Sequence, residues 1–399
     1  MRIAIHDYAG HPFQFGLSRR LAARGHEVRH FFFAGDAGPK GDSRLAPDDP
    51  PTFSIEPIAV PGKYSKGDLF DRRSKDRHYG KIASRKIMAF RPDVVLSGNT
   101  PTEAQDAILL AARRRRIPFV FWMQDFYSLA ITRLLGGRWF GLGALVAAYY
   151  RHLERRQLRA SAGIVVVSDT FQDGLARLGI RRVPVEVIPN WGALSEIPVR
   201  EKQNPWANAN AAANCFVVLY SGTLGLKHDP QILLRLADSL ADLKDVQIIV
   251  AAEGLGATAL REALESQPRP NLSMKPLQSV DDFPDMLGSA DVLLAVLERD
   301  AHAFSVPSKV LSYLCAGRPV LLSAPGGNLA SLTVAASNAG FVVEPGDVRA
   351  LEERVRFLFD HPDQRRALGA AARCFAEQTF DLDAVAARFE TVLTAAVAA

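Results

Sequence analysis

The sequence predicts an α/β protein made of two Rossmann-like domains facing a central cleft, with C-terminal helices packing across. Three observations predict it. Short apolar runs alternate with helical patterns along the chain, the rhythm of a parallel sheet covered on both faces. The rhythm breaks at a polar, Asn- and Ala-rich stretch, residues 201–214, and then restarts. The length, 399 residues, fits two or three domains at roughly 150 residues each.

In the first half, strands are expected at 2–6, 27–32, 54–58, 93–96, 118–122 and 163–167. Helices are expected at 13–24, closed by Gly25, and at 74–90, 103–115, 142–160 and 171–178. In the second half, strands are expected at 216–220, 246–251, 272–275, 292–295, 320–322 and 340–343. Helices are expected at 230–241, 259–265, 308–315 and 350–359, and the tail, 364–397, reads as two amphipathic helices. The expected domains are 1–200, a linker at 201–214, 215–375, and a C-terminal helix at 376–399 that crosses back to the first domain. Ligands of open parallel sheets bind outside the carboxyl ends of the strands, so the functional residues are sought in the loops that follow strands.

Composition narrows the function classes. With 48% hydrophobic and 23% charged residues, the chain is neither disordered nor collagen-like. Its three cysteines, Cys215, Cys315 and Cys374, are far apart and form no C-x-x-C. A disulfide framework and a structural zinc site are therefore not expected, and a reducing compartment is. No uncharged apolar run approaches the roughly 20 residues of a spanning helix. The N-terminal segment reads as a buried strand rather than the apolar region of a signal peptide. Residues 1–200 hold 31 Lys and Arg against 19 Asp and Glu, whereas 201–399 hold 17 against 24. The halves are thus expected to meet different partners, the basic one an anionic surface or a phosphorylated substrate. No basic groove with interleaved aromatics is present, so nucleic acid is not expected.

Four post-strand loops carry candidate chemistry. The first, His6 to His11, contains Gly10 and leads into a helix bearing Phe15, where a helix N-terminus favours an anion; the alternative is a plain turn. Gln124 and Asp125 follow the strand at 118–122. Asp125 can accept a proton or hold a sugar hydroxyl, or it can cap the next helix. Gly222 and Thr223 lie in the small-residue run before Lys227, where open amides and a point charge suit phosphate. Pro307, Ser308 and Lys309 open an apolar helix. A lysine in a first helical turn opposes the dipole and calls for a compensating anion, and a diphosphate there gains amides, dipole and charge together. Glu253 and Gln278, after the strands at 246–251 and 272–275, and Ser312 are further polar candidates in the second half. The segment from Arg133 to Arg159 mixes Trp139, Phe140, Leu145 and Tyr149 with six arginines. It reads as an interfacial membrane helix, or alternatively as a core helix with a charged tail.

The order of these pieces resembles a GT-B-fold, family 4-like glycosyltransferase of the exopolysaccharide or O-antigen, colanic-acid-type group, over nearly the whole chain. Residues 20–28 (RLAARGHEV) are similar to the family's LaxxGHeV and 187–191 (VIPNW) to its viPNW. Residues 220–227 (YSGTLGLK) are similar to YSGnlGxK, and 306–309 with 317–320 (VPSK, GRPV) to vPSK and aGrPV. The resemblance implies a retaining transfer from a nucleotide-diphosphate sugar bound by the second domain to a lipid-linked or polysaccharide acceptor on the first. It implies that Lys227 meets the donor phosphate, that Ser308 and Lys309 lie by the leaving diphosphate, that Gly222, Thr223, Glu253, Gln278, Pro307 and Ser312 complete the donor side, and that Asp125 serves the acceptor. Asp125, Lys227 and Lys309 are then the catalytic set. It implies no bound metal and no cofactor beyond the donor, and a place on the cytoplasmic face of the plasma membrane. Relatives carry an E-x7-E pair whose positions here are Phe304 and Ser312, and Thr223 stands where an arginine is frequent. A non-catalytic nucleotide-sugar-binding regulator or scaffold is the alternative.

Overall fold

Unit 1 of the chain runs β1 (Arg2–Asp7), α1 (Pro12–Ala23), β2 (Glu27–Phe33), β3 (Phe53–Ile58), α2 (Leu69–Ala89), β4 (Val94–Gly98), α3 (Thr102–Arg114), β5 (Phe119–Met123), α4 (Tyr127–Leu135), α5 (Leu142–Ala160), β6 (Gly163–Val166), α6 (Phe171–Arg177) and β7 (Val185–Val187). The computed structural model describes residues 1–35, 44–60, 69–135, 142–225, 228–297, 299 and 308–399. The seven strands form one sheet in the order β3-β2-β1-β4-β5-β6-β7, all pairings parallel. β1 is central because Ile3, Ala4 and Ile5 are buried on both faces, as a strand roofed by helices on both sides requires. One face of the core gathers Phe31, Tyr79, Ile87, Val95 and Phe119.

Unit 2 continues with α7 (Pro205–Ala209), β8 (Phe216–Thr223), α8 (Gln231–Ser239), β9 (Val246–Glu253), α9 (Leu255–Ser266), β10 (Leu272–Lys275), α10 (Phe283–Gly288), β11 (Val292–Val296), α11 (Ser308–Cys315), β12 (Val320–Ser323), α12 (Leu329–Ala336), β13 (Gly340–Val343), α13 (Val348–Asp360) and α14 (Pro362–Thr379). Its sheet is β10-β9-β8-β11-β12-β13, again parallel throughout. Val218, Tyr220, Val250, Leu294 and Val355 belong to its core. The last helix, α15 (Leu382–Ala398), belongs to unit 1; the units are Met1–Asn190 with Leu382–Ala399, and Trp191–Asp381.

Several expectations are corrected here. Residues 201–214 are not a free linker. Asn204 caps α7 by accepting the Ala207 amide at 2.9 Å, and its own amide donates to the Glu201 and Asp285 carbonyls. Trp206 is buried, so this stretch is a folded part of unit 2. The first unit ends at Asn190 rather than 200. The return to it begins at Leu382 rather than 376, because α14 stays packed on α11. β7, α4, α7, α10 and α12 were not foreseen. β7, α7 and α10 are too short to show a period, and α12, LASLTVAA, has no polar face to contrast with its apolar one.

Candidate active site

In each unit the strand order reverses at one point, between β1 and β4 in unit 1 and between β8 and β11 in unit 2. Such switch points open a crevice at the carboxyl ends of the strands. The sequence places polar residues at both.

At the unit 2 switch point, α11 is seated by Tyr313. The buried Tyr313 hydroxyl accepts the Ser221 amide of β8 at 2.9 Å. It lies 3.3 Å from the carbonyls of Ser221 and of Leu294 in β11. One side chain thus spans the two strands that part company there. Lys309 is four residues earlier, on the same face of α11. Its Nζ donates to the Tyr220 hydroxyl at 2.6 Å and lies 4.0 Å from the centre of that ring. The Tyr220 hydroxyl in turn donates to the Thr223 carbonyl at 2.9 Å. Burial pushes the Lys309 ammonium down to about 7, because no carboxylate pairs with it among the described residues. A Cβ on Gly222, where φ is +120°, would lie 3.6 Å from Lys309 Nζ. Lys309 and Gly222 are therefore brought together at the end of β8, as a cation beside a bare main chain.

The surrounding candidates sort differently. Ser221, Gly222 and Thr223 are not a loop: β8 runs through Thr223, which pairs with Glu253 of β9. The expected open amides are partly spent. Ser221 N goes to Tyr313, Leu224 N to the Glu253 carbonyl at 2.8 Å, and Gly225 N to His228 Nδ1 at 2.9 Å. The Glu253 side chain is exposed at the end of β9. Ser308 is exposed at the start of α11, and the Ser312 hydroxyl reaches back to the Ser308 carbonyl at 3.4 Å. The Gln278 amide is committed elsewhere, accepting from Trp206 Nε1 and donating to the Pro276 carbonyl, both at 2.8 Å. It ties α7 down. Lys227, Phe304 and Pro307 lie outside the described residues.

At the unit 1 switch point the first loop is braced from beneath. His6 Nδ1 sits 2.9 Å from Ser97 Oγ and 3.1 Å from Thr100 Oγ1, and its Nε2 sits 2.7 Å from the Tyr79 hydroxyl. Ser97 and Thr100 spend their protons on Gln105 Oε1 and the Gly98 carbonyl. Nδ1 must therefore carry the ring proton and Nε2 must accept from Tyr79. Burial holds His6 neutral, pushed down to about 3. The buried Asp7 carboxylate accepts the amides of Ala9 and His11 at 3.2 and 2.5 Å, and burial raises its pKa. Gly10, at φ +71°, closes that turn. Phe15 is a correction: it is 1% exposed and stacks on His30 with ring centres 4.0 Å apart, so it supports the core rather than a ligand.

Asp125 and Gln124 follow β5. Asp125 Oδ1 accepts the Phe126 amide at 2.7 Å, and Gln124 Oε1 accepts from Asn190 Nδ2 at 2.6 Å. The capping alternative for Asp125 is only partly met, because the start of α4 is served by Glu154 of α5. Glu154 accepts the Ser128 hydroxyl and the amides of Tyr127 and Ser128, and burial raises its carboxyl to about 7. Sequence reading missed Glu154, Tyr220 and Tyr313. A signal existed for two of them. Tyr313 is i+4 from Lys309, and Glu154 falls on the stripe of Tyr150, Leu153, Gln157 and Leu158, a carboxylate among buried positions. Among the described residues no group of three His, Cys, Asp or Glu side chains could hold a metal ion.

Two doubly wound parallel-sheet units define the GT-B class of fold. The comparisons agree. Residues 13–191 match the glycosyl transferase 4-like domain, and 204–375 match glycosyl transferases group 1. The chain belongs to the family 4-like glycosyltransferases of the GT-B fold. It is 26% identical over 310 residues to the colanic acid biosynthesis glycosyl transferase WcaI of Escherichia coli K12, covering 75% of this chain and 73% of that one. Among solved structures, sucrose-phosphate synthase from Thermosynechococcus elongatus superposes with a TM-score of 0.73 at 16% identity, covering 98% of each chain. Anabaena HepE in complex with UDP superposes with a TM-score of 0.70 at 16% identity, covering 99% of this chain and 100% of that one.

Proposed function

We propose that the protein moves a sugar from a nucleotide-diphosphate sugar to a lipid-linked or polysaccharide acceptor, with retention at the anomeric carbon, in the synthesis of a cell-surface polysaccharide. The observation that carries this reading is the Lys309 ammonium, desolvated and steered by Tyr220 at the unit 2 switch point. WcaI, named for colanic acid biosynthesis, and HepE, solved with UDP, support the product class and the donor class.

In this reaction the bond from the sugar's anomeric carbon to the diphosphate breaks, and the bonding pair leaves with the nucleoside diphosphate. The acceptor oxygen forms the new bond and its proton passes to Asp125 or to the leaving phosphate. Charge grows on the diphosphate in the transition state, so a pre-placed cation aimed there lowers the barrier. Lys309, Lys227 and the amides at the start of α11 supply that stabilisation in place of a metal. A lysine that titrates near neutrality without ligand gains its full charge when a diphosphate arrives. On unit 1, Asp125 and Gln124 orient the acceptor hydroxyl.

The acceptor is placed at a membrane surface by α5. Leu145 is 68% and Tyr149 39% exposed, and Arg151, Arg155 and Arg159 are exposed beside them. Leu129 of α4 adds a third exposed apolar side chain. Arg138, Trp139 and Phe140 of the same segment lie outside the described residues. Among the described residues no helix is long and apolar enough to cross a membrane; it is the exposed apolar side chains beside arginines on α5 that fit an interfacial helix.

The test is transfer of labelled sugar from a panel of nucleotide sugars into bacterial membranes, with nucleoside diphosphate release measured in parallel. Lys309→Ala is expected to cut turnover by about 10²-fold, the scale of losing one electrostatic catalytic group. Donor binding by wild type with no diphosphate release from any sugar overturns the transferase reading in favour of a regulator. Ser312, standing where relatives carry a glutamate, is the observation on that side.

A further inference from the structure

The amino ends of the unit 2 strands carry a second basic site. A cavity of about 260 Å³ is lined there by Lys202, Arg318, Arg365 and Arg366 around a lone carboxylate, Asp291. Asp291 immediately precedes β11 and Pro319, also in the wall, immediately precedes β12. The cavity therefore lies at the far end of α11 from Lys309, roughly 12 Å along an eight-residue helix.

The charges in the cavity do not cancel. Asp291 Oδ2 is taken by Lys202 and by the Val217 amide at 2.8 Å, and its Oδ1 is 3.8 Å from Arg365 Nε. It also acts on Arg318, as does Glu201, so with Asp363 the four cations face three carboxylates and one positive charge is left over. Arg366 pairs with the exposed Asp363. Arg318 spends Nε and Nη2 on the carbonyls of Gly288 and Arg200, at 2.6 to 3.2 Å. Arg365 spends Nη1 on the carbonyls of Leu358 and Phe359. Carbonyls orient a guanidinium but do not neutralise it. Nη1 of Arg318 and Nη2 of Arg365 make no hydrogen bond among the described residues, and neither is enclosed by protein.

α14 supplies part of the wall. Pro362, Arg365, Arg366 and Gly369 line the cavity at i, i+3, i+4 and i+7, so one face of α14 is turned toward it. α14 has 18 residues, and its N-cap, His361, gives no side-chain cap. Its first turn carries Asp363, so the helix adds side chains to the cavity rather than free amides. The wall is rigid. A Cβ on Gly369 would meet the Gly317 carbonyl oxygen at 2.5 Å, so α14 and the turn before Arg318 are in backbone contact. That turn is the end of α11, whose other end bears Lys309.

We propose that this cavity is a second anion site, built for the phosphate or diphosphate group of a soluble ligand and separate from the donor site. Forked guanidiniums with unspent N–H groups are the chemistry that recognises phosphate oxygens. The inference does not rest on the transferase reading, because none of its residues belongs to the donor set.

The experiment is calorimetric titration of the full chain with inorganic pyrophosphate and, separately, inorganic phosphate, at matched ionic strength. It is run in a Lys309→Ala background, which weakens the donor-side response. Saturable binding is expected there, and Arg366→Glu, a change at an exposed residue, is expected to weaken it at least fivefold. Arg365→Gln is expected to do the same if it folds; Arg366→Glu decides the matter if it does not. Binding in the Lys309→Ala background that is indifferent to Arg366→Glu overturns the proposal. So does the absence of saturable binding of either anion.

Discussion

Lys309 shows how one side chain can be read twice. In the sequence it is a cation misplaced in a first helical turn; in the fold it is a half-buried ammonium resting on a phenol. Its folded-state pKa lies near 7, below the ordinary 10.5, so between those values the unfolded chain binds the extra proton. Stability from this residue is therefore gained as pH rises from about 7 to 10.5 and is absent below 7. Lys309→Met is expected to be more stable than wild type at pH 6, with the gap closing by about pH 10.5. Urea melts at pH 6, 8 and 10 check this, and parallel pH profiles would sink it. Lys309 was legible because its conflict with the helix dipole is local. Tyr220, 89 residues away, was not, since nothing near it in sequence marks its hydroxyl as a partner. Phe15 was misread for the converse reason. A helix face after a strand is turned inward or outward by packing, and here His30 claims it.

Among the elements, α11 was foreseen with the boundaries it has, but not what holds it in place. Tyr313→Phe removes a hydroxyl that satisfies the buried Ser221 amide. It is expected to cost about 1–3 kcal/mol, measured by denaturant titration. It should also lower transfer activity, because Lys309 loses its fixed seat; a neutral stability change would remove Tyr313 as the anchor. α4 was missed, and with it Glu154, which holds the helix start from a neighbouring element. Burial raises the Glu154 carboxyl from 4.5 to about 7. In that window the folded state binds the additional proton, so stability falls as pH rises from about 4.5 to 7 and is level beyond. Glu154→Gln is expected to flatten that fall, leaving the variant's advantage largest above pH 7. Thermal melts from pH 4.5 to 8 test it, and an unchanged slope would assign the pH dependence elsewhere.

Across the molecule, the chain ends by returning to the unit in which it began. α15 places Phe389 against the buried Trp122 with ring centres 4.7 Å apart. Its Glu390 takes Arg24 at 2.7 Å and His26 at 2.9 Å. These contacts make α15 part of the unit 1 core. Phe389→Ala is expected to cost roughly 3–5 kcal/mol, measured by denaturant titration, and a loss below about 1 kcal/mol would show that α15 is an appendage. The sequence alone determined the class of fold, the doubled parallel sheet, most strands to within two residues, and the motifs that mark the family. Those follow from hydrophobic period and turn chemistry, which act over a few residues. Only the tertiary structure decided which candidates meet. It joined Lys309 to Tyr220 and Gly222, buried Phe15, tied Gln278 to Trp206, turned a supposed linker into a capped helix, and gathered Lys202, Arg318 and Arg365 around Asp291. Such outcomes depend on side chains that are remote in the chain and become neighbours only when the sheets close, and no local pattern records that distance.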